Sequence, residues 1–223
     1  PTLISRFYSL DPLAKKYSDI SPYAFVANNP ILFVDSDGRE IIIKDPKTNK
    51  TIIYKPNDAS IKEGAGEFAL KAIEGLDYLY NNASAKGVNR VQNLVEATDF
   101  TVNIIENLRP FTDQFAGSLT ENSTLQWNPY IAYEIPTGVQ SPIISLAHEI
   151  DHANEFLQAI NAYYNEEDYD KADEIFSTRV APLLPERAYP GMPERMKEEN
   201  RVTKGYETET AKALGQATRP DYN

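Results

Sequence analysis

The amino-acid sequence predicts an α+β fold, because strand-like segments dominate the first half of the chain and helical patterns dominate the second. The β-rich segments lie at 40–55, where two runs of β-branched residues flank a turn, and at 100–105 and 124–127. Apolar residues at three- and four-residue spacing predict helices over 60–83, 141–163 and about 194–214. We therefore expect a small β-sheet packed on helices.

Composition and charge restrict the classes of function. The chain has 223 residues, of which 41% are hydrophobic and 25% charged, and this balance allows a buried core. The net charge of −11 disfavours a nucleic-acid partner, because such proteins present a basic surface. There is no cysteine, so neither disulfides nor a thiolate metal site is available. No apolar run of about 18 residues occurs, so the sequence predicts no membrane span.

Individual elements follow in order along the first half of the chain. Residues 40–55 are predicted to form a hairpin around a turn at 45–49. Helix 60–83 carries an apolar stripe that includes Ile73 and Leu76, and a second helix is predicted around 88–95. Beyond the strand at 100–105, residues 113–122 are polar and rich in turn formers, which predicts an irregular connection to the strand at 124–127.

The clearest helical pattern lies over 141–163. Ser141 suits the N-cap and Pro142 suits the first helical position. A further helix is predicted over 168–180, after which several prolines interrupt the chain. The last helix is predicted from about 194 to 214. Gly205 weakens it in the middle, and Gly215 is a natural residue to end it.

The only two histidines of the chain, His148 and His152, lie four residues apart in helix 141–163. Side chains at i and i+4 share one face of a helix, so both imidazoles can bind the same metal ion. Glu149 follows the first histidine, where its carboxylate can act as general base toward a metal-activated water. Zinc hydrolases use three protein ligands and leave one position open for that water. The motif therefore predicts a zinc peptidase with His148 and His152 as ligands and Glu149 as the catalytic base.

The residues around this motif favour a buried active-site helix. Residues 143–147 and Ala153 are mostly small or apolar. Asp151, inside the motif, is expected to point away from the metal, as a solvated charge on the outer face of the helix. The alternative interpretation of the motif is a pair of histidines that binds no metal.

The third zinc ligand must be a carboxylate, because the chain has no further histidine and no cysteine. The last helix offers Glu194, Glu198, Glu199, Glu207 and Glu209. Its expected buried stripe consists of Met196, Val202, Tyr206, Ala213 and Leu214. Glu199 lies three residues before Val202 and seven before Tyr206, on this stripe, whereas Glu198 is slightly off it. Helical phase therefore predicts Glu199 as the third ligand, with Glu198 as the second choice.

Residues 1–39 differ from the rest of the chain, because they are rich in turn formers and contain no long periodic segment. In order, they carry Arg6-Phe7-Tyr8-Ser9-Leu10-Asp11-Pro12-Leu13-Ala14, Tyr17, Ser21-Pro22-Tyr23, Asn28-Asn29-Pro30-Ile31 and Asp35-Ser36-Asp37-Gly38. This series resembles the end of the Rhs-repeat-associated core, although Ser36 stands where that family usually has proline. The resemblance implies that residues 40–223 are the variable C-terminal payload of a large Rhs β-shell, secreted or delivered at the cell surface by a bacterium.

The C-terminal half resembles the effector-type zinc metallopeptidases of the gluzincin group. The matching segments are Ala147-His148-Glu149-Ile150-Asp151-His152-Ala153, Glu198-Glu199-Asn200-Arg201-Val202 and Arg219-Pro220-Asp221-Tyr222. The match is poor over residues 56–140. The resemblance implies a zincin-like fold, with a small curled β-sheet packed on helices, and a zinc endopeptidase that acts as a toxin on a protein or peptide substrate. A producing cell would need a cognate immunity protein, unless the Rhs shell sequesters the toxin.

Several interpretations stay open from the sequence. The strand at 124–127 is either an edge strand that holds substrate by β-augmentation or an ordinary core strand. Tyr206 is a candidate for stabilising the oxyanion, because it lies on the ligand helix. Two other functions also fit the motif, namely a metal-binding structural or adhesion module without proteolytic activity and a zinc hydrolase of peptidoglycan crosslinks. The acidic charge fits poorly with binding to an anionic cell-wall polymer.

Overall fold

The computed structural model describes residues 39–82, 89–97, 100–185 and 193–220. All of these residues belong to the compact unit that begins at Arg39. The Rhs-like segment at 1–38 lies outside the described residues, and so do Asp221 and Tyr222 of the tail. The Rhs resemblance and the domain boundary drawn from it therefore stay predictions.

The described residues contain seven strands and six α-helices. The strands are β1 (Arg39–Lys44), β2 (Thr51–Ile53), β3 (Phe100–Glu106), β4 (Gln114–Ala116), β5 (Ser123–Trp127), β6 (Tyr133–Ile135) and β7 (Gly138–Gln140). The helices are α1 (Glu67–Asn82), α2 (Arg90–Glu96), α3 (Pro142–Asn165), α4 (Tyr169–Ile175), α5 (Pro193–Val202) and α6 (Thr208–Ala213). Short 3₁₀ segments lie at Ala59–Lys62 and Ala181–Leu183, and π-helical segments at Phe176–Val180 and Thr203–Glu207.

Five strands form one mixed sheet in the order β2-β1-β3-β5-β4. The three central strands run parallel to one another, and the two edge strands run antiparallel to their neighbours. Strands β6 and β7 form a separate hairpin. The predicted α+β class, with a small sheet and packed helices, is therefore confirmed.

One face of the sheet is buried against helices. Alternation along the strands places Ile43, Ile104 and Leu125 on this face, each with no exposed surface. Leu76 of α1 and Ile150 of α3 belong to the same core cluster. The core thus lies between the sheet and the helices, and it fixes α3 directly beneath β4 and β5.

The β1–β2 hairpin confirms the prediction at 40–55, and its turn is held by Asp45. This buried carboxylate accepts hydrogen bonds from Thr48 Oγ1 at 2.6 Å, from Lys47 N at 3.0 Å and from Gly66 N, before α1, at 2.5 Å. Burial alone would raise the pKa of Asp45, but the donors from Thr48, Gly66 and Lys47 lower it below its ordinary value. One side chain therefore joins the hairpin to the start of α1.

The structure corrects one prediction about the strands and decides between the two alternatives left open for another. Residues 113–122 are not irregular throughout, because Gln114–Ala116 forms the edge strand β4. A three-residue strand is too short to show a period-two pattern. The segment 124–127 lies within β5, between β3 and β4, so it is a core strand and not a sheet edge.

Helix α3 begins at Pro142, as predicted, but Ser141 does not cap it with its side chain. Instead, the side chain of Gln216 forms hydrogen bonds with Ser141 at the start of the helix. Its Oε1 accepts from Ser141 N at 2.6 Å, and its Nε2 donates to Ser141 Oγ at 2.9 Å. The N-terminus of α3 is therefore fixed by the segment that follows α6.

The last predicted helix, about 194–214, is present but is not continuous. Gly205 has non-helical dihedral angles of φ −94° and ψ −110° within the π-helical segment Thr203–Glu207, and the chain bends there. The helical structure then ends before Gly215, whose φ of +64° suits a C′ glycine. Val202 and Tyr206 are buried as predicted, whereas Met196 is 43% exposed and Ala213 is also exposed.

Candidate metal centre

The motif in α3 is buried, as predicted for an active-site helix. His148, Glu149 and His152 are 5%, 6% and 1% exposed, respectively. The small and apolar residues around them let α3 pack against the sheet on one side and α5 on the other. Polar groups at this depth need partners, because an unpaired buried charge is strongly destabilising.

Three ligand atoms from two helices converge at one point. Nε2 of His148 lies 3.0 Å from Nε2 of His152 and 3.0 Å from Oε2 of Glu199. Nε2 of His152 lies 3.4 Å from the same oxygen. These residues form a buried group that could hold a metal ion. Of the two glutamates that helical phase left as candidates, the structure brings Glu199 to this point.

The other ring nitrogen of each histidine faces a second carboxylate. Nδ1 of His148 lies 2.7 Å from Oε2 of Glu207, and Nδ1 of His152 lies 3.0 Å from Oε1 of Glu198. Because a carboxylate only accepts, each Nδ1 donates its proton to that glutamate. Glu198, the second choice for the third ligand, is therefore placed behind His152 rather than at the point of convergence.

This arrangement fits a tetrahedral zinc ion. When both Nδ1 atoms donate, a neutral imidazole presents an unprotonated Nε2, so three lone-pair donors face one another within hydrogen-bonding distance. Such a cluster is repulsive unless a metal ion lies among the three atoms or one imidazole carries a second proton. For bonds of about 2.0–2.1 Å, tetrahedral ligand atoms lie about 3.3 Å apart, close to the distances between these three atoms. Nitrogen and oxygen donors of this kind also suit zinc chemically.

Each of the three glutamates at the centre is paired with an arginine. Arg195 Nη2 lies 2.6 Å from Oε1 of Glu199. Arg201 donates to both carboxylate oxygens of Glu198, at 2.7 and 2.8 Å. Arg219 donates to both oxygens of Glu207, at 3.1 and 2.6 Å. The arginines hold the carboxylates in fixed orientations and compensate their charges.

The electrostatics of the centre favour ionised carboxylates. Burial alone would raise the pKa of Glu198 and of Glu207. Hydrogen bonds from arginine and histidine outweigh burial and lower each pKa to about 2. The pKa of Glu199 is likewise well below its ordinary value. Burial would lower the pKa of His148, but Glu199 and Glu207 raise it to about 10 in the metal-free protein. The same carboxylates that retain a proton on this ring would stabilise a bound cation.

Glu149 is held against the edge strand. Its Oε2 accepts a hydrogen bond of 2.6 Å from the backbone N–H of Phe115 in β4. Burial raises the pKa of Glu149 above its ordinary value, although the two neighbouring histidines oppose the shift. A carboxylate with a raised pKa, fixed beside the convergent ligands, is suited to receive and return a proton.

Asp151 is not the solvated charge that the sequence predicted. It is only 1% exposed and pairs with Arg90 of α2 and with Arg201 Nη1 at 2.9 Å. It does point away from the convergent ligands. Because Arg201 also binds Glu198, Asp151 supports the ligand helix from behind.

Tyr206 lies in the core and does not line the cavity beside the ligands. Its ring packs under the guanidinium of Arg90, whose Cζ is 4.1 Å from the ring centroid. Its buried hydroxyl makes no hydrogen bond to the described residues. The structure therefore gives no support to Tyr206 as the oxyanion-stabilising residue.

Sequence reasoning did not assign a role to Glu207. Glu199 and Glu207 contact opposite sides of the His148 ring, because the chain bends at Gly205 between them. A glycine in the middle of a helical pattern was the one signal of this bend. From the sequence, Arg219, which binds Glu207, was identified only as part of the segment that resembles gluzincin effectors.

A cavity of about 500 Å³ opens beside His148 and Glu149. Its other walls come from the β6–β7 hairpin, the first turn of α3, the segment before β4, and the C-terminal residues that carry Glu207 and Arg219. This volume is within the range of small-molecule and side-chain binding sites. The convergent ligands are therefore buried but adjacent to a space that a substrate can enter.

Comparisons of the chain with models of protein families, with curated proteins and with solved structures find no match. The resemblances to the Rhs core and to gluzincin effectors thus rest on the sequence alone. No helix in the described part of the chain is long and apolar enough to cross a lipid bilayer. The conclusion from the structure is a buried His148–His152–Glu199 cluster with metal-binding geometry and a second carboxylate, Glu149, beside it.

Proposed function

We propose that this chain is a zinc-dependent endopeptidase with a zincin-like fold. The observation that carries the proposal is the convergence of His148, His152 and Glu199 next to Glu149, at the wall of an open cavity. A metal-binding module without enzymatic activity has no need for a buried carboxylate beside its ligands. Such a module also has no need for a cavity at the metal.

Zinc bound by these ligands would lower the pKa of a water molecule and polarise a carbonyl group. Glu149 would take a proton from the attacking water and deliver it to the nitrogen of the leaving amine. The Phe115 N–H orients the Glu149 carboxylate for this transfer. Glu198 and Glu207 would keep the imidazoles in the tautomer that presents Nε2.

The outer edge of β4 lies close to the proposed metal site, but its backbone donors are already bound within the chain. This strand is one edge of the sheet, and its residue Phe115 points its N–H away from β5 toward Glu149. Extended peptides commonly add to a sheet edge as one more strand. The edge closes two residues later, where Gly117 N donates to Leu183 O at 2.8 Å. Because both of these outward N–H groups are bound within the chain, we place the substrate in the cavity beside His148 and Glu149 rather than on this edge.

The biological setting that we propose is a toxin or effector payload, carried at the end of an Rhs-type secreted protein. Residues 1–39 support this setting through their resemblance to the end of the Rhs-associated core. The substrate would be a protein or peptide in a target cell, reached by secretion or by delivery from the bacterial surface. An immunity protein and the remainder of the Rhs shell are the proposed partners.

Replacement of Glu149 by Gln tests the mechanism. We expect Glu149→Gln to retain zinc at the wild-type stoichiometry, because the three ligands are unchanged. Its peptide hydrolysis should fall by at least about 100-fold, because the general base is lost. Zinc content is measured by atomic emission, and cleavage by mass spectrometry of a peptide library derived from a proteome. Glu155→Gln is the matched control, because Glu155 lies on α3 but pairs with Arg179.

Other outcomes would contradict the proposal. Zinc binding without cleavage of any peptide by the wild-type chain would indicate a structural metal module. Cleavage of peptidoglycan crosslinks but not of proteins would indicate a cell-wall hydrolase. Undiminished cleavage by Glu149→Gln would remove Glu149 from the catalytic mechanism.

A further inference from the structure

The cavity beside Glu149 carries an excess of negative charge. Four carboxylates line it, namely Asp113, Glu134, Glu149 and Glu207, whereas Arg219 is the one lysine or arginine among the described residues that line it. Arg219 is already bound to both oxygens of Glu207. Glu149 is held at the metal end by Phe115 N–H. The charges that remain for a ligand are therefore those of Asp113 and Glu134.

The carboxylate of Asp113 accepts hydrogen bonds from neutral groups but forms no ion pair with a described residue. Its Oδ1 accepts from Asn128 N at 2.8 Å and from Asn107 Nδ2 at 3.3 Å. Its Oδ2 accepts from Tyr133 Oη at 2.5 Å and from Ser145 Oγ at 2.6 Å. All four donors are neutral, and no described lysine, arginine or histidine forms an ion pair with it. This half-buried carboxylate is thus fixed in orientation and uncompensated in charge.

Glu134 supplies the second charge, at the mouth of the cavity. It is exposed on β6, and its carboxylate forms no hydrogen bond or ion pair with the described residues. It can therefore move to meet a ligand without losing an existing contact. Asp113 and Glu134 together offer one fixed and one mobile anion along the same cavity.

The remaining walls suit an aliphatic stem or a guanidinium plane. Phe111, Ile135, Pro136 and Ile144 contribute apolar surface. The Phe111 ring is 65% exposed and packs edge-on to Tyr133, with centroids 5.4 Å apart. Its backbone has a φ of +59°, which is rare for a bulky residue and is often found at binding sites. Long basic side chains place their methylene groups on such surfaces, and their charged ends interact with aromatic rings and carboxylates.

From these features we infer that the cavity is a specificity pocket for a lysine or arginine side chain next to the scissile bond. The inference rests on the proposed peptidase function, because it assigns that enzyme a substrate class. A basic side chain provides the counter-charge that Asp113 lacks. An acidic side chain would meet two like charges, and a neutral one would leave Asp113 uncompensated.

Peptide binding to the full-length, zinc-loaded Glu149→Gln variant tests this inference without relying on cleavage. The probes are fluorescent peptides that are identical except for one residue, which is arginine, citrulline, norleucine or glutamate. Citrulline matches arginine in shape but has no charge. We expect the arginine peptide to bind about tenfold or more tightly than the citrulline peptide by fluorescence anisotropy, because one charge-assisted contact is gained. Added salt should reduce the difference.

Substitutions in the pocket should reduce this preference. In the same background, Glu134→Gln should lower the arginine-to-citrulline ratio in affinity, and Asp113→Asn should lower it further. Glu134 is exposed, so its substitution is not expected to disturb folding, whereas Asp113 organises four neighbours. The matched control is Glu74→Gln, an exposed position on α1 that does not line the cavity, which should retain the full ratio.

Two results would overturn the inference. One is equal binding of the arginine and citrulline peptides, or no measurable binding of either. The other is a preference that both pocket substitutions leave unchanged. Cleavage mapping with the wild-type chain separates this inference from the enzyme proposal. Cleavage without a preference for basic residues would support the peptidase proposal and contradict the pocket proposal. Selective binding of the arginine peptide without any cleavage would support the pocket proposal and contradict the peptidase proposal.

Discussion

At the scale of single residues, two adjacent glutamates in α5 have different tasks. Glu199 reaches the Nε2 atoms of both histidines, whereas Glu198 accepts a hydrogen bond from Nδ1 of His152. Adjacent positions on a helix differ by about 100°, and this rotation separates the glutamate at the point of convergence from the glutamate that orients His152. The sequence ranked Glu199 above Glu198 by the same argument. The sequence did not predict that Glu198 would instead orient the ring of His152.

Zinc affinity should distinguish the two glutamates. We expect Glu198→Ala to weaken zinc binding by about 10–100-fold, because only the orientation of His152 is affected. Glu199→Ala should weaken it further, because a ligand is removed. Competition with a chromophoric chelator measures both constants, and Glu209→Ala, on α6, serves as control. A greater loss for Glu198→Ala would exchange the two roles.

At the scale of elements, the long helices and the buried strands were predictable, because their periodic patterns extend over many residues. Strand β4 was not, because three residues carry no periodic pattern. Glu207 was missed for a different reason. The straight helix that the pattern implied would not turn this side chain toward His148, and the bend at Gly205 does. Local sequence signals therefore located the first ligands, whereas tertiary contacts determined the groups that hold them.

The hairpin carboxylate Asp45 should make folding stability depend on acidity. Its pKa is lowered in the folded state, so its contribution is present above the unfolded value of 3.8 and is lost as pH falls through the folded value. Asp45→Asn should lower the free energy of unfolding by about 1–3 kcal/mol at pH 7, because three donors, including the buried Gly66 N–H, lose a charged acceptor.

Urea unfolding at neutral and acid pH tests this prediction. The difference in stability between wild type and Asp45→Asn should shrink as the pH falls below the unfolded pKa. Asp173→Asn, an exposed position on α4, should show no such difference at either pH. A constant difference across the pH range would mean that Asp45 acts through packing rather than through its charge.

At the scale of the whole molecule, the metal centre joins parts of the chain that are remote in sequence. His152 and Glu199 are separated by 47 residues, and Arg219 follows Glu207 after a further 12. Asp151 adds α2 to the same network through Arg90. A bound ion would therefore connect the motif helix, the C-terminal segment and, through Asp151, helix α2.

Removal of zinc should therefore lower the stability of the whole described unit. We expect chelation to reduce the melting temperature by roughly 5–15 °C, because a ligand that binds only the folded state stabilises it in proportion to its saturation. Differential scanning calorimetry with and without chelator measures the shift, and readdition of zinc should restore it. His148→Ala should melt at the same temperature in both conditions. A wild-type melting temperature that is unchanged after complete zinc removal would contradict the prediction.

The number of residues between the histidines and Glu199 also determines when, during synthesis of the chain, the site can form. Ribosomes add about 5–20 residues per second, so the 47 residues from His152 to Glu199 take several seconds to be made. During that interval the nascent chain contains His148, Glu149 and His152 but not Glu199, so the proposed metal site is incomplete. Glu207 and Arg219, which fix His148, are made later still. Under the proposed function, the site would therefore be complete only after residues 199–219 have been synthesised and have folded back onto α3.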